Sequence, residues 1–326
     1  MTISRRGFAK ALIGTGAALA AARFPIRLPG SGEEKSLVVQ AVSPRLRRQG
    51  NDIPPDAARE FLGRALQAAT GKSEPAAAWG ALFARHETVG VKLSCLPGRM
   101  LSPSPALTTA IVEGLLSAGL DKKNIIVWER TRRELEGAGY GASRSGVKYM
   151  GSDDLPGGGY GSRIAVAGSV GTIFSGIMEG LDALISVPVL KDHDLAGVSG
   201  AMKNMYGAIF NPNKFHANGC DPFVADLCSH PLVKEKLRLS ICDATRVQVH
   251  NGPAYFPRYA VDLGGLLVSR DPVALDFCGW ALIDRLRREM GLPTLAEAGR
   301  EPRYIRTAAR MGLGSAEESR VRRIDL

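Results

Sequence analysis

An α/β fold, with a mostly parallel sheet covered by helices on both faces, is what the sequence predicts. Three observations point there: short apolar strands alternate with amphipathic stretches of helix length, the strands end in abrupt polar clusters, and Gly or Pro marks most junctions. The first strand is expected over residues 36–42. A helix follows over 54–69, where Ala58, Phe61, Leu62, Ala65, Leu66 and Ala69 recur at helical spacing and Gly71 closes the run. Residues 87–95 form the next strand, with Val89, Val91 and Leu93 alternating. A helix over 105–118 stops at Gly119, and 125–128 is a short buried strand. The Gly-, Ser- and Asp-rich stretch 137–161 reads as a long excursion over the sheet edge. Strands return at 181–189, 237–242 and 264–269. Asp271 suits the cap and Pro272 the first turn of a helix that runs to about Met290, with Val273, Phe277, Trp280 and Leu286 on its buried face. Residues 319–326 add a final edge strand. With no internal repeat and no later linker, 36–326 reads as a single domain.

The first residues carry an address. Ser4-Arg5-Arg6-Gly7-Phe8-Ala9-Lys10 is a charged region of twin-arginine type, and the uncharged Ala- and Gly-rich run 11–22 follows it. That run is too short to span a bilayer, which takes roughly 20 helical residues. It reads as the apolar core of a signal peptide over 1–22, with small residues suited to cleavage at Ala18-Leu19-Ala20 or Ala20-Ala21-Ala22 and a Pro/Gly-rich linker over 23–35. The expected partner is the twin-arginine translocase, and the expected location is the periplasm or another extracytoplasmic space. Export in folded form motivates a search for a cofactor or partner acquired beforehand.

The chain of 326 residues has a formal net charge of +10, of which Arg5, Arg6 and Lys10 supply three. A basic balance favours anionic partners, or serves solubility alone. No basic run is interleaved with aromatics, so nucleic acid is not an expected partner. The five cysteines, Cys95, Cys220, Cys228, Cys242 and Cys278, include no C-x-x-C, and an iron–sulfur cluster held within this chain is not expected. Gly137 to Ala142 fits G-x-G-x-x-A, but a polar, helix-like stretch precedes it where a dinucleotide site needs a buried strand. The phosphate-loop, zinc-peptidase and nucleophile-elbow motifs are missing.

The informative block begins where an apolar strand meets Lys191, Asp192, His193 and Asp194. In parallel α/β sheets, ligands bind beyond the carboxyl ends of strands. The small residues of 197–207 suggest a helix start lying close to a ligand, with N–H groups that attract an anion and with Lys203 and Asn204 one turn along. His216, Cys220, Asp221 and Asp226 follow, then Cys228 and His230. Four of the five histidines fall between positions 193 and 250. Asp243 sits just after a predicted strand. Asp276 lies in the apolar run VALDFCGW, where a buried carboxylate needs a cation, a metal or a hydrogen-bond donor; Lys191 and Lys203 are the cations on offer. Lys191, His193 and Lys203 are therefore the candidate catalytic groups, Asn204, Asp243 and Asp276 candidate ligand-binding groups, and His216 and Asp226 candidate metal ligands.

The ordered series LISVPVLKDH, GAMKNMYG, FH, ADL, CDA, NGP and SRDPVALD, spread between Val89 and Pro293, resembles domain-of-unknown-function family 362. The resemblance maps recurrent polar positions onto Lys191, His193, Lys203, Asn204, His216, Asp226, Asp243 and Asp276. It also implies a ferredoxin-like redox partner, since such domains often accompany the family and this chain has none. Many relatives carry K-P-N after the early strand. Here the residues are Lys92-Leu93-Ser94-Cys95, which puts the role of that Asn in doubt and leaves Lys92 to join the site. Binding of a metal ion or an anionic ligand is expected. Catalysis, non-catalytic capture and a purely structural role all remain open at this point.

Overall fold

Runs of Val, Ile and Leu assemble into one eleven-stranded sheet, with a separate two-stranded hairpin. The computed structural model describes residues 35–141 and 146–326. The twin-arginine segment, the apolar run 11–22 and the linker up to Glu34 lie outside the described residues. In chain order the strands are β1 (Ser36–Val42), β2 (Val89–Leu93), β3 (Ile125–Glu129), β4 (Lys148–Gly151), the hairpin β5 (Ala165–Ala167) and β6 (Val170–Thr172), then β7 (Ala183–Val187), β8 (Val189–His193), β9 (Gly197–Ser199), β10 (Leu237–Gln248), β11 (Ala260–Val261), β12 (Gly265–Ser269) and β13 (Val321–Asp325). The long path across the sheet is β13-β1-β12-β10-β7-β2-β3-β4, with β8 and β11 pairing the far half of β10 and β9 pairing β8. The central run β10-β7-β2-β3-β4 is parallel throughout, and so is β1 with β13; β12 is antiparallel to both of its neighbours. The fold is α/β and mostly parallel, as the sequence predicts.

Alternation along the strands divides the core in two. Ala183, Ile185 and Val187 of β7 and Leu266 and Val268 of β12 pack on the face covered by helices α1 (Pro55–Thr70) and α2 (Pro105–Ser117). Leu184 and Leu267 pack on the other, beneath α3 (Phe223–Ser229), α4 (Pro272–Glu289) and α5 (Arg303–Arg310). Helix α4 starts as expected: the Asp271 carboxylate accepts the N–H groups of Val273 and Ala274 at 2.8 and 2.9 Å.

Four expectations need correction. The predicted strand 181–189 is broken at Pro188, which has no N–H for a ladder, and the chain starts again as β8 against the far half of β10. Lys191, Asp192 and His193 thus lie on a strand rather than in a loop beyond one. β10 is twice the predicted length because its polar second half is satisfied internally: Arg48 reaches Asp243, Arg246 pairs with Asp262, and Gln248 bonds Ala254 and Phe256. The stretch 197–207 is no α-helix start but β9 followed by a tight 3-10 turn, Lys203–Ala208. The excursion 137–161 also contains β4, which extends the parallel sheet beside β3.

Candidate functional site

The ends of β2, β3 and β8 and the 3-10 turn surround a cavity of about 530 Å³, lined among others by Lys92, Glu129, Lys191, His193, Lys203, Asn204, Tyr206 and His216. Period-two alternation in β8 aims Lys191 and His193 into it. Asp192, between them, points the other way and accepts from Arg300 at 2.8 Å and from the Gly252 N–H at 3.2 Å.

The floor is a closed ion pair. Lys92 Nζ donates to Glu129 Oε1 at 2.5 Å and to the Leu93 carbonyl at 2.6 Å, while the other Glu129 oxygen accepts the Cys95 N–H at 2.6 Å. Asn204 stitches this floor to the next strand, donating through Nδ2 to the Lys92 carbonyl and to Ser186 Oγ at 3.0 and 3.1 Å. The turn reaches that far in because Gly207 has no side chain: a Cβ there would stand 2.5 Å from Lys92 Nζ.

Above the floor lie two ammonium groups with weaker company. Lys191, 2 % exposed, donates to Ser94 Oγ at 3.1 Å. Lys203, 7 % exposed, meets His216 Nε2 at 3.0 Å and stands 4.5 Å from the centre of the Tyr206 ring. Among the described residues neither has a carboxylate within ion-pairing distance. Burial pushes the pKa of each down to about 8, and the nearby Lys203 charge adds to the effect on Lys191.

Both histidines are neutral. The N–H groups of Leu195 and Ala196 point at His193 Nδ1 from 3.2 and 3.4 Å, so that nitrogen accepts and Nε2 carries the proton. The Asp194 carboxylate is 3.0 Å from the same Nδ1, which would be an ion pair only for a protonated ring. Burial first, then Lys203 and His216, push the His193 pKa down to about 2 and decide against that charge. His216 has the opposite tautomer. Its Nδ1 faces the carbonyls of Pro212 and Asn213 at 3.2 and 3.3 Å, and carbonyls only accept, so the Nε2 lone pair faces Lys203. Burial and the Lys203 charge lower its pKa too. The two rings stack with centroids 5.4 Å apart.

Lys191, His193, Lys203, Lys92, Asn204 and His216 thus meet in one place, and three other candidates do not. Asp276 is bound neither by Lys191 nor by Lys203; the N–H groups of Ala201 and Met202 reach it at 2.6 and 3.0 Å, beneath the turn. Asp243 is fully buried and spent on Arg48, the Ser104 N–H and Thr245. Asp226 accepts from the N–H and hydroxyl of Ser169 at 2.8 and 2.6 Å, which anchors the β5–β6 hairpin, and it does not line the cavity with His216. Among the described residues no group of three or more His, Cys, Asp or Glu side chains could hold a metal ion. Ser94, Glu129 and Tyr206 were missed as site residues. Glu129 ends an apolar strand in the way that drew attention to Lys191, so a signal for it was present.

A family model described as "Domain of unknown function (DUF362)" matches residues 89–281. The chain belongs to this family. Every cavity residue named above falls inside the DUF362 span, and α5 and β13 lie beyond it. No curated protein matches the chain. Among solved structures, the lactate racemase apoprotein from Thermoanaerobacterium thermosaccharolyticum is similar at 13% identity and a TM-score of 0.45, over 78% of this chain and 58% of that one. This DUF362 chain therefore spans little more than half of that protein's length, and the likeness carries no residue's role across.

Proposed function

We propose that the cavity binds a small carboxylate or phosphate and performs acid–base chemistry on it. The observation that carries this reading is the pair of buried ammonium groups, Lys191 and Lys203, that face one space, neither with a carboxylate at ion-pairing distance among the described residues. A buried charge needs a partner, and an anionic ligand supplies one to both. The Lys203 ammonium, 3.0 Å from His216 Nε2, disfavours a metal cation between His193 and His216. The neutral imidazoles offer complementary proton chemistry, a donor at His193 Nε2 and an acceptor at His216 Nε2.

The reading includes export. The Arg5-Arg6 signal directs the folded chain to the twin-arginine translocase, and the protein acts outside the cytoplasm, with a ferredoxin-like partner wherever electrons are exchanged. Replacement of Arg5 and Arg6 by lysine is expected to empty the periplasmic fraction; unchanged export would remove this part of the reading. For the cavity, calorimetric titration with acetate, pyruvate and phosphate is expected to give saturable binding that weakens at least about tenfold in Lys191→Met, roughly the loss of one charge-assisted hydrogen bond. Absence of binding by all three anions, or equal binding by the variant, would overturn it. Binding without turnover of any anion would make the protein a carrier rather than a catalyst.

A further inference from the structure

We propose that Lys203 captures the carbonyl carbon of an α-keto acid as an imine, with His216 as its proton acceptor and Lys191 as the clamp for the substrate carboxylate. The proposal rests on the anion-binding reading and names the substrate class for the same cavity.

Three lysines line the cavity, and their neighbours sort them. Lys92 is locked to Glu129 and the Leu93 carbonyl. Lys191 donates to the Ser94 hydroxyl, a poor base, so no neighbour among the described residues is placed to take its proton, and its ammonium form is left to hold a carboxylate. Lys203 alone is 3.0 Å from an imidazole nitrogen whose lone pair must face it. The Pro212 and Asn213 carbonyls fix that tautomer. Nucleophile, base and orienting group are thus in line. Burial lowers the Lys203 pKa to about 8, so about a tenth of it is free amine at neutral pH even before His216 acts.

The reaction balances without a co-reactant. The Lys203 ammonium gives one proton to His216 Nε2, and the amine adds to the carbonyl carbon. One N–H proton moves to the new alkoxide to give a neutral carbinolamine. The His216 imidazolium then protonates the hydroxyl, water leaves, and the nitrogen lone pair forms the C=N bond. Ammonium and ketone become a protonated imine and water, with one positive charge on each side and His216 restored. His193, with Nδ1 occupied by two backbone N–H groups, has its Nε2–H free to donate to the carbonyl oxygen as negative charge develops. Leu96 and Leu195 at the lining are 58 % and 52 % exposed, which favours an apolar substituent on the keto acid.

The test uses the full chain with cyanoborohydride and either pyruvate or phenylpyruvate, followed by intact mass and peptide mapping. One reduced adduct per chain is expected on Lys203, formed at least about tenfold faster than on any other lysine and suppressed by acetate. Acetone, which lacks the carboxylate, is expected to label Lys203 at least about tenfold less well. Lys203→Arg should abolish the adduct, and Lys191→Met should raise the pyruvate concentration for half-labelling while leaving the adduct on Lys203. His216→Gln should slow capture at saturating pyruvate; should that variant not fold, a rise in the native chain's capture rate with pH up to about 8 serves in its place. Saturable pyruvate binding with no adduct on Lys203 would overturn the imine and leave the anion pocket standing. An adduct on Lys191, or one on Lys203 that acetate leaves untouched, would overturn the assignment of roles. Neither binding nor adduct would sink both readings.

Discussion

The Asp276 carboxylate accepts the backbone N–H of Ala201 at 2.6 Å, and it thereby holds the turn that delivers Lys203 to the cavity. Gly200 makes the approach possible, since a Cβ there would stand 2.1 Å from Asp276 Oδ1. Asp276→Asn keeps the shape but sets an amide N–H₂ against a backbone N–H. An unsatisfied buried donor costs about 1–3 kcal/mol. The expected outcome is a loss of that order in urea unfolding, together with weaker anion binding, although Asp276 never touches the ligand. Wild-type binding by this variant would show that the turn holds itself.

How much of this was legible follows from where polarity met burial. The helix cap at Asp271, the alternation of β2 and the edge strand β13 obey local rules, and the sequence shows them. β8 and the second half of β10 were hidden because Lys191, Asp192 and Asp243 read as loop until their partners are known, and those partners are distant in sequence: Ser94, Arg300 and Arg48. The same gap explains the aspartates. Charge in an apolar run correctly marks Asp276 as buried, but backbone N–H groups that satisfy a carboxylate leave no trace in residue identity. Lys203 and His216 are thirteen positions apart, and nothing short of the folded turn shows that they touch.

The Lys92–Glu129 pair is buried on both sides, and breaking such a pair is worse than replacing it. Glu129→Gln leaves the Lys92 ammonium without its counter-charge and is expected to cost about 3–5 kcal/mol. Adding Lys92→Met to that variant should recover much of the loss. A double-mutant cycle by chemical denaturation checks this; additive single effects would mean that the two side chains are independent.

Lys191 and Lys203 are the reverse case, charges kept where they destabilise the empty protein. Lys191→Met removes a buried ammonium without stranding a carboxylate. Its melting temperature in the absence of ligand is expected to rise, by about 2–4 °C for each kcal/mol regained. A lower melting temperature would mean that the bond to Ser94 outweighs the burial of charge.

The pH dependence separates the empty from the loaded state. In the empty protein both lysines titrate near 8, against an ordinary 10.5. Between those values the unfolded chain binds more protons than the folded one, so stability rises with pH across that window. Below about 6.5 the sign comes from His193, which stays neutral down to about 2 while the unfolded chain takes up a proton, so stability falls as the solution becomes acid. A bound anion favours the ammonium forms, so acetate affinity is expected to be greatest below pH 8 and to fall above it by about tenfold per pH unit for each lysine that must be charged. Melting curves with and without acetate should therefore converge as the pH climbs past 8. A constant gap up to pH 10 would mean that neither ammonium holds the ligand, and the cavity would then need another account of its two buried ammonium groups.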